Sequence, residues 1–282
     1  GIKTNIFGSV NVTDAAIAAN TKIFVLISTD KAIEPVSMLG ATKRFAEMYA
    51  QSRDAEFVAA AAGMRLVAVR FGNVLGSVGS VVPKFKAQIA RGGPLTVTSP
   101  DMIRYFMTIR EACDLVLTAA SHADGEARAG AERAAVYVLK MGQPVRIADL
   151  AERMIRLAGF EPGTEIEIAY TGARPGERLN EILFAREEPR IALPGIDGVM
   201  AARPVFADRD RLDAWVARLR DAVSAGDRAA AEAVFEAAIP HFRERAVLRP
   251  GPPQEAAERA AAPAGGPPRA DAAPATAPAA LG

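Results

Sequence analysis

Four consecutive residues, Ser28-Thr29-Asp30-Lys31, close the apolar run that begins at Lys22 (KIFVLIS) and place two hydroxyls, a carboxyl and an amine side by side. Adjacent acid and base groups can serve one substrate. Asp30 gives or takes a proton, Lys31 takes one where burial favours its neutral form, and Thr29 can hydrogen-bond a substrate hydroxyl. The competing reading is a polar loop that caps a strand. Position makes the four residues candidates, because ligands of open α/β sheets bind beyond the carboxyl ends of the strands.

Two further segments carry polar groups at suggestive spacing. Lys43 falls four residues after Leu39, so the two share a helix face away from Phe45; taken singly it reads as a solvated surface lysine. The Gly/Ser run Gly76-Ser77-Val78-Gly79-Ser80 precedes a helix and offers backbone N–H groups to an anion, with Lys84 and Lys86 nearby. A helix-initiating turn without a ligand is the alternative.

The elements that must position these groups alternate between strand-like apolar runs and helix-period segments, the pattern of parallel βαβ units. Helices are expected over Asn5–Ala19, Met38–Gln51, Ser80–Arg91, Ile109–His122 and Ile147–Ala158, with two more between Asp208 and Phe242. Ser80 is the expected N-cap of its helix, with Pro83 in the first turn. Strands are expected over Lys22–Ser28, Arg65–Phe71, Ala135–Lys140 and Glu165–Tyr170. Ala41, Phe45 and Met48 mark a core face on the second helix. No G-x-G-x-x-G occurs anywhere, and the chain opens on a helix without an initiator Met. The expected fold is therefore a partial doubly wound α/β sheet lacking its first strands, with KIFVLIS as an exposed edge of high β-propensity that invites aggregation. A smaller substrate lobe and helices are expected at 147–249 after a main domain at 1–146. Between Pro250 and Gly282, 25 of 33 residues are Ala, Pro or Gly, the composition of a disordered tail.

Composition removes several function classes. Across 282 residues, 34 Lys plus Arg balance 33 Asp plus Glu, so no global charge draws nucleic acid or anionic lipid. One cysteine, Cys113, and two histidines argue against a disulfide framework and a Cys/His zinc site. Cys113 is expected in the core, His122 and His241 near helix C-termini, and Trp215 and Phe235 in the packing of the C-terminal helices. No apolar run has the roughly 20 residues of a membrane span, so a cytoplasmic chain without membrane contact is expected.

The same segments carry a family resemblance. KTNIFGSVNVTDAA, STDKA within FVLISTDKAIEPVSMLGATKRFAEMY, RFGNVLGS, RYFMT and TGARPGERLNEIL together resemble the extended short-chain dehydrogenase/reductases, in their polysaccharide-biosynthesis branch with the UDP-N-acetylglucosamine 4,6-dehydratases. The resemblance covers residues 1 to about 185 and implies a Rossmann-type fold, NAD or NADP as cofactor, and a UDP-sugar as substrate. It further implies a homo-oligomeric parent, which in many relatives carries N-terminal membrane helices. The reaction it implies is redox-neutral. Carbon 4 of the sugar is oxidised, water leaves across carbons 5 and 6, and hydride returns at carbon 6.

By this resemblance Lys31 is the base at carbon 5, Asp30 the acid at the departing carbon-6 hydroxyl, and Thr29 the contact near carbon 4. Lys43 is similar to the lysine of the Tyr-x-x-x-Lys pair that holds the nicotinamide ribose. Leu39 stands where the branch has tyrosine or methionine, which leaves the carbon-4 hydroxyl proton to water or to Thr29 and Asp30. Asn5 resembles an asparagine at the floor of the nicotinamide site, with a helix N-cap as the alternative, and Ser28 joins that cofactor side. Asn73 and Arg104 resemble diphosphate contacts, Ser80 and Lys84 belong to the adjoining anion loop, and Arg174 with Glu177 resembles a grip on the uridine end. The rivals are a nucleotide-sugar 4-epimerase, which needs no acid and base for elimination, and a catalytically incomplete chain that only binds nucleotide-sugar.

Overall fold

The computed structural model describes residues 1–242 except 61–62, 78, 130–134, 140, 175, 183, 186–187, 192 and 194–195. The expected tail at 250–282 lies outside the described residues. The described residues all fall within one compact unit.

The chain opens with a π-helical turn at Lys3–Phe7 that continues into α1 (Gly8–Ala18), followed by β1 (Ile23–Thr29) and a 3-10 turn at Asp30–Ala32. Next come α2 (Met38–Ala59), β2 (Arg65–Phe71), β3 (Asn73–Val74) and α3 (Val81–Ile89). Three short strands, β4 (Leu95–Val97), β5 (Ile103–Arg104) and β6 (Phe106–Met107), lead into α4 (Ile109–Ala129). After β7 (Val136–Leu139) and β8 (Val145–Arg146) come α5 (Ile147–Leu157) and β9 (Ile168–Tyr170). The chain returns to the main sheet with β10 (Arg190–Ile191) and β11 (Val199–Ala202), then ends in α6 (Arg209–Ala225) and α7 (Arg228–Ala238).

Among the described residues the main sheet runs β1-β2-β7-β11-β10. Its first three strands are parallel, as the alternating pattern predicts. The last two are antiparallel additions, so the sheet is mixed rather than wholly parallel. Two-residue β10 and four-residue β11 are too short to show a period in sequence. β1 occupies the edge, paired along its length with β2 alone among the described residues, and Ile27 is 43% exposed there.

Helices cover both faces. α2 lays Ala46 and Ala50 against Leu26, Ala68, Val136 and Val138, the small side chains allowing close approach. α4 packs Leu115, Ala119 and Ala123 on the opposite face against Val67, Val69 and Tyr137. On its other side α2 turns Ala41, Phe45 and Met48 into a cluster with α6 and α7. Phe45 meets Trp215 and Phe235 edge to face at 6.4 and 6.3 Å, pairings worth about 0.5–1.5 kcal/mol each beyond area. α2 runs eight residues beyond its expected end at Gln51, and in that extension Asp54 accepts from Arg65 Nε at 3.0 Å and from the Leu66 N–H of β2 at 2.7 Å.

Local signals set the helix ends. Thr108 and Glu111 exchange bonds reciprocally at the start of α4, a capping box. Asp208 and Asp227 cap α6 and α7 through the N–H groups of Arg211 and Ala230, and Gly226 closes α6 at φ 67°. Ser80 stands at the N-cap position of α3, yet its side chain makes no capping bond, which corrects that expectation. Asn5 lies inside the π-helical turn rather than at an N-cap.

A second core unites segments far apart in sequence. Phe85 and Ile89 of α3, Leu95 and Val97 of β4, and Ile147, Ala151 and Ile155 of α5 pack together. Around it, β3 pairs with β6, β4 with β9, and β5 with β8. These two-stranded ladders fix Asn73 and Arg104 beside the carboxyl end of the main sheet.

Two further expectations need correction. Cys113 is exposed on α4, not buried. His122 sits seven residues before the end of α4, bonded through Nδ1 to the buried Tyr137 hydroxyl at 2.9 Å, so contact with the sheet rather than a helix terminus accounts for it.

Candidate active site

β1 delivers its last residues to the sheet's carboxyl end, where the extended strand tightens into the 3-10 turn Asp30–Ala32. Thr29 makes that turn: its hydroxyl oxygen accepts from the Lys31 N–H at 3.4 Å while its O–H donates to Asp30 Oδ1 at 2.7 Å. Asp30 is buried, and its Oδ2 has no hydrogen-bond donor among the described residues. Lys31 keeps 40% of its side chain exposed, so the burial attached to a lysine base is partial. Its ammonium nitrogen lies 3.0 Å from Asp30 Oδ1 and 3.2 Å from Glu181 Oε1.

Glu181 was not singled out from sequence, although it lies within the TGARPGERLNEIL segment. It is the hub of the site. Besides Lys31, it accepts from Asn73 Nδ2 at 3.0 and 3.1 Å and pairs with Arg104 Nε at 3.2 Å. Burial pushes its carboxyl above the usual range, the facing Asp30 adds to this by charge and hydrogen bonding, and Lys31 and Arg104 oppose it. The signal that could have found it is a glutamate in a segment otherwise read as substrate contact.

Asp30, Lys31, Asn73, Ser80, Lys84, Arg104 and Glu177 line one cavity of about 380 Å³, joined by Thr96, Thr98, Arg178 and Glu181. Seven of the sequence candidates thus meet, and Thr29 adjoins them through Asp30. The donors of Arg104 and Asn73 are already engaged. Arg104 donates to the carbonyls of Ile103, Arg178 and Leu179, and Asn73 to that of Tyr105. Arg178 ties the same loop to the carbonyls of Ile33 and Glu34. Ser80 Oγ is buried without a partner among the described residues. Lys84 is lowered from the ordinary lysine value by burial and then by the like charge of Arg174, with Glu177 opposing.

Other candidates lie elsewhere. Arg174 is not part of the cavity wall; its N–H donates to Glu177 Oε2 at 3.3 Å, closing a turn whose Pro175 is outside the described residues. Asn5 donates its amide to Thr42 Oγ1 at 2.9 Å. Lys43 reaches the Ile27 carbonyl of β1 at 3.1 Å, and burial lowers its pKa against the pull of Glu47. Ser28 turns inward and donates to Glu47 Oε1 at 2.6 Å, so its hydroxyl serves the core rather than a cofactor. Of these three cofactor-side candidates, Lys43 alone presents its polar end at the surface.

Beneath the site, Arg70 makes a paired fork to Glu47, at 2.9 and 2.8 Å, and a second to Glu188, at 2.8 Å twice. Burial would raise the Glu47 carboxyl, but Arg70, Arg44 and Ser28 outweigh it and hold the carboxyl below its usual value. This network locks α2 to β2 one turn from Lys43. Among the described residues no group of His, Cys, Asp or Glu is placed to hold a metal, and no helix is long and apolar enough to cross a membrane.

The parallel strands with helices on both faces and the Asp-Lys turn at their carboxyl end define a protein of the Rossmann-type α/β fold. More narrowly, the chain belongs to the polysaccharide biosynthesis protein family, whose model matches residues 1–198. It is 50% identical over 187 residues to the capsular polysaccharide biosynthesis protein CapD of Staphylococcus aureus. It is 48% identical over 187 residues to the probable polysaccharide biosynthesis protein EpsC of Bacillus subtilis (strain 168). Each match covers 66% of this chain and 29% of the relative, so the chain spans less than a third of their length. The X-ray structure of Pen from Bacillus thuringiensis shares 34% identity with a TM-score of 0.62, covering 74% of this chain and 61% of that one. The UDP-glucose 4-epimerase of Thermus thermophilus, solved with NAD, shows the same fold at 18% identity and a TM-score of 0.51, over 64% of this chain and 61% of that one.

Proposed function

We propose that this chain carries the acid, the base and the sugar-nucleotide contacts of a 4,6-dehydratase acting on a UDP-N-acetylhexosamine in polysaccharide biosynthesis. The observation that supports this reading best is the Asp30-Lys31 turn, which presents a buried carboxyl and an amine to one cavity. Elimination needs that combination, since one group must take the carbon-5 proton while another protonates the departing hydroxyl. NAD or NADP, when bound, supplies the transient oxidation of carbon 4 and the returning hydride, and Lys43 is the residue here suited to hold its ribose.

The chain's own residues divide the remaining work. Lys31 takes the carbon-5 proton, which the ketone at carbon 4 has acidified, and later gives it back. Asp30 protonates the carbon-6 oxygen. Leu39 has no proton to exchange, so the carbon-4 hydroxyl proton leaves through Thr29 toward Asp30. Lys84 and Ser80 meet the diphosphate, and Glu177 accepts from ribose hydroxyls. Asn73 and Arg104 join them when their bonds to Glu181 and the loop carbonyls rearrange.

Mass spectrometry of UDP-N-acetylglucosamine incubated with the intact gene product and cofactor tests the reading. A product lighter by one water supports it. A product of unchanged mass but inverted carbon 4 indicates the epimerase, and recovery of unaltered substrate despite UDP binding indicates a non-catalytic chain.

A further inference from the structure

Deepening that reading and resting on it for the reaction itself, we propose that Glu181 is a positioning residue that shares one proton with Asp30, and that this carboxyl couple, not Asp30 alone, is the acid of the elimination. The two carboxyls belong to segments 150 residues apart and are held together by one ammonium, with Lys31 Nζ bridging Asp30 Oδ1 at 3.0 Å and Glu181 Oε1 at 3.2 Å. Two ionised carboxylates at such proximity repel, and like-charge pairs of this kind retain a proton between them.

Asp30 shows where that proton belongs. Its Oδ1 accepts from Thr29 and Lys31, whereas its buried Oδ2 has no donor among the described residues, a costly state for an anionic oxygen. A proton held between the carboxyls supplies that donor. Among the described residues the groups paired with the couple are Lys31 beside Asp30 on the 3-10 turn and Arg104 from β5, with the neutral amide of Asn73 from β3. Burial and the field of Asp30 hold the Glu181 carboxyl above its usual range in spite of these cations.

The proton count closes. Lys31, whose side chain is 40% exposed, first releases its ammonium proton to solvent; in the elimination the carbon-5 C–H pair then becomes the carbon 5–carbon 6 double bond and its proton goes to the free amine of Lys31. The carbon-6 C–O bond breaks, and the couple's proton goes to the departing oxygen to give water. Returning hydride forms the carbon-6 C–H bond, and Lys31 returns its proton to carbon 5. Over one turnover the couple therefore loses one proton and regains one, released from the carbon-4 hydroxyl through Thr29, whose O–H donates to Asp30 Oδ1 at 2.7 Å.

Infrared difference spectroscopy across a pH titration reads the shared proton without any need for turnover. The C=O stretch of a protonated carboxyl should be present at neutral pH and vanish in both Glu181→Gln and Asp30→Asn. Its absence from the unaltered protein at neutral pH, or its loss in only one variant, overturns the proposal. In the intact gene product, Glu181→Gln should lower kcat by about 10²-fold and move the alkaline limb of its pH profile, because the Glu181 carboxyl, held above its usual range, is gone. A lowered kcat with an unmoved limb would mean a merely structural role and also overturn it. If Glu181→Gln does not fold, titration of the unaltered protein decides, since the band must disappear over the pH range in which kcat falls. A band that behaves as stated in a protein that releases no water from any UDP-sugar sinks the dehydratase reading and leaves the shared proton standing.

Discussion

Gly40, in the first turn of α2, lies so near the Lys31 carbonyl that a β-carbon there would stand 2.1 Å from its oxygen. The helix carrying Lys43 and the turn carrying Asp30 and Lys31 are thus in backbone contact, which only glycine allows. Gly40→Ala must push turn and helix apart. The expected result is a loss of kcat of about 10²-fold, the cost of misplacing reacting groups by about an ångström, with the protein still folded by circular dichroism. Unchanged kcat would show that the contact does not position the turn.

If Lys84 meets the diphosphate as proposed, nucleotide binding is expected to be sensitive to alkali. Its pKa is lowered by burial and by Arg174, so its charge is lost at a lower pH than that of an ordinary lysine. Calorimetric titration with UDP should show affinity falling as pH rises through that lowered value. Lys84→Arg should abolish this alkaline loss, because guanidinium stays charged. Lys84→Ala should weaken UDP binding by about tenfold, or roughly 1.4 kcal/mol, across the neutral range.

Loss of the Arg70 network is expected to govern how stability falls at acid pH. Arg70→Met strands Glu47 and Glu188 in the interior and should cost about 3–5 kcal/mol in denaturant unfolding. The sign with pH follows from Glu47, whose folded carboxyl lies below its usual value. The unfolded chain therefore binds the proton more readily. The contribution is complete above the ordinary carboxylate range and disappears as pH falls through the lowered value. Melting temperatures of Glu47→Gln should accordingly vary less on the acid side than those of the unaltered protein.

Leu39 is 53% exposed one turn before Lys43. Leu39→Tyr would place a phenol where a short-chain dehydrogenase uses one, and oxidation at carbon 4, followed as formation of reduced cofactor, should accelerate by about tenfold or more. UDP affinity should not move. An unchanged rate would show that Thr29 and Asp30 already remove that hydroxyl proton efficiently.

The elements read from sequence were those with a strong period or a strong boundary. β2 begins and ends at Arg65 and Phe71 as expected, because an apolar run between polar segments admits little else. β9 fell within the strand expected at Glu165–Tyr170, but β10, β11 and the short strands β3, β5, β6 and β8 were invisible, since two to four residues carry no period and their partners lie far along the chain. Cys113 and Ser28 were misread for a related reason. Residue type suggested a buried thiol and an available hydroxyl, whereas the face of α4 and the inward register of β1 set the opposite.

Sequence by itself determined the α/β alternation, the family and the adjacency of Asp30 and Lys31, because these are written in neighbouring residues and short spacings. Tertiary structure decided what that pair works with. Glu181 reaches Lys31 only because the loop after Glu177 is fastened by Arg104 and Arg178 to backbone carbonyls on separate segments. Contacts between residues 150 apart are set by packing and by the need to satisfy buried polar groups, and neither leaves a local mark on the chain.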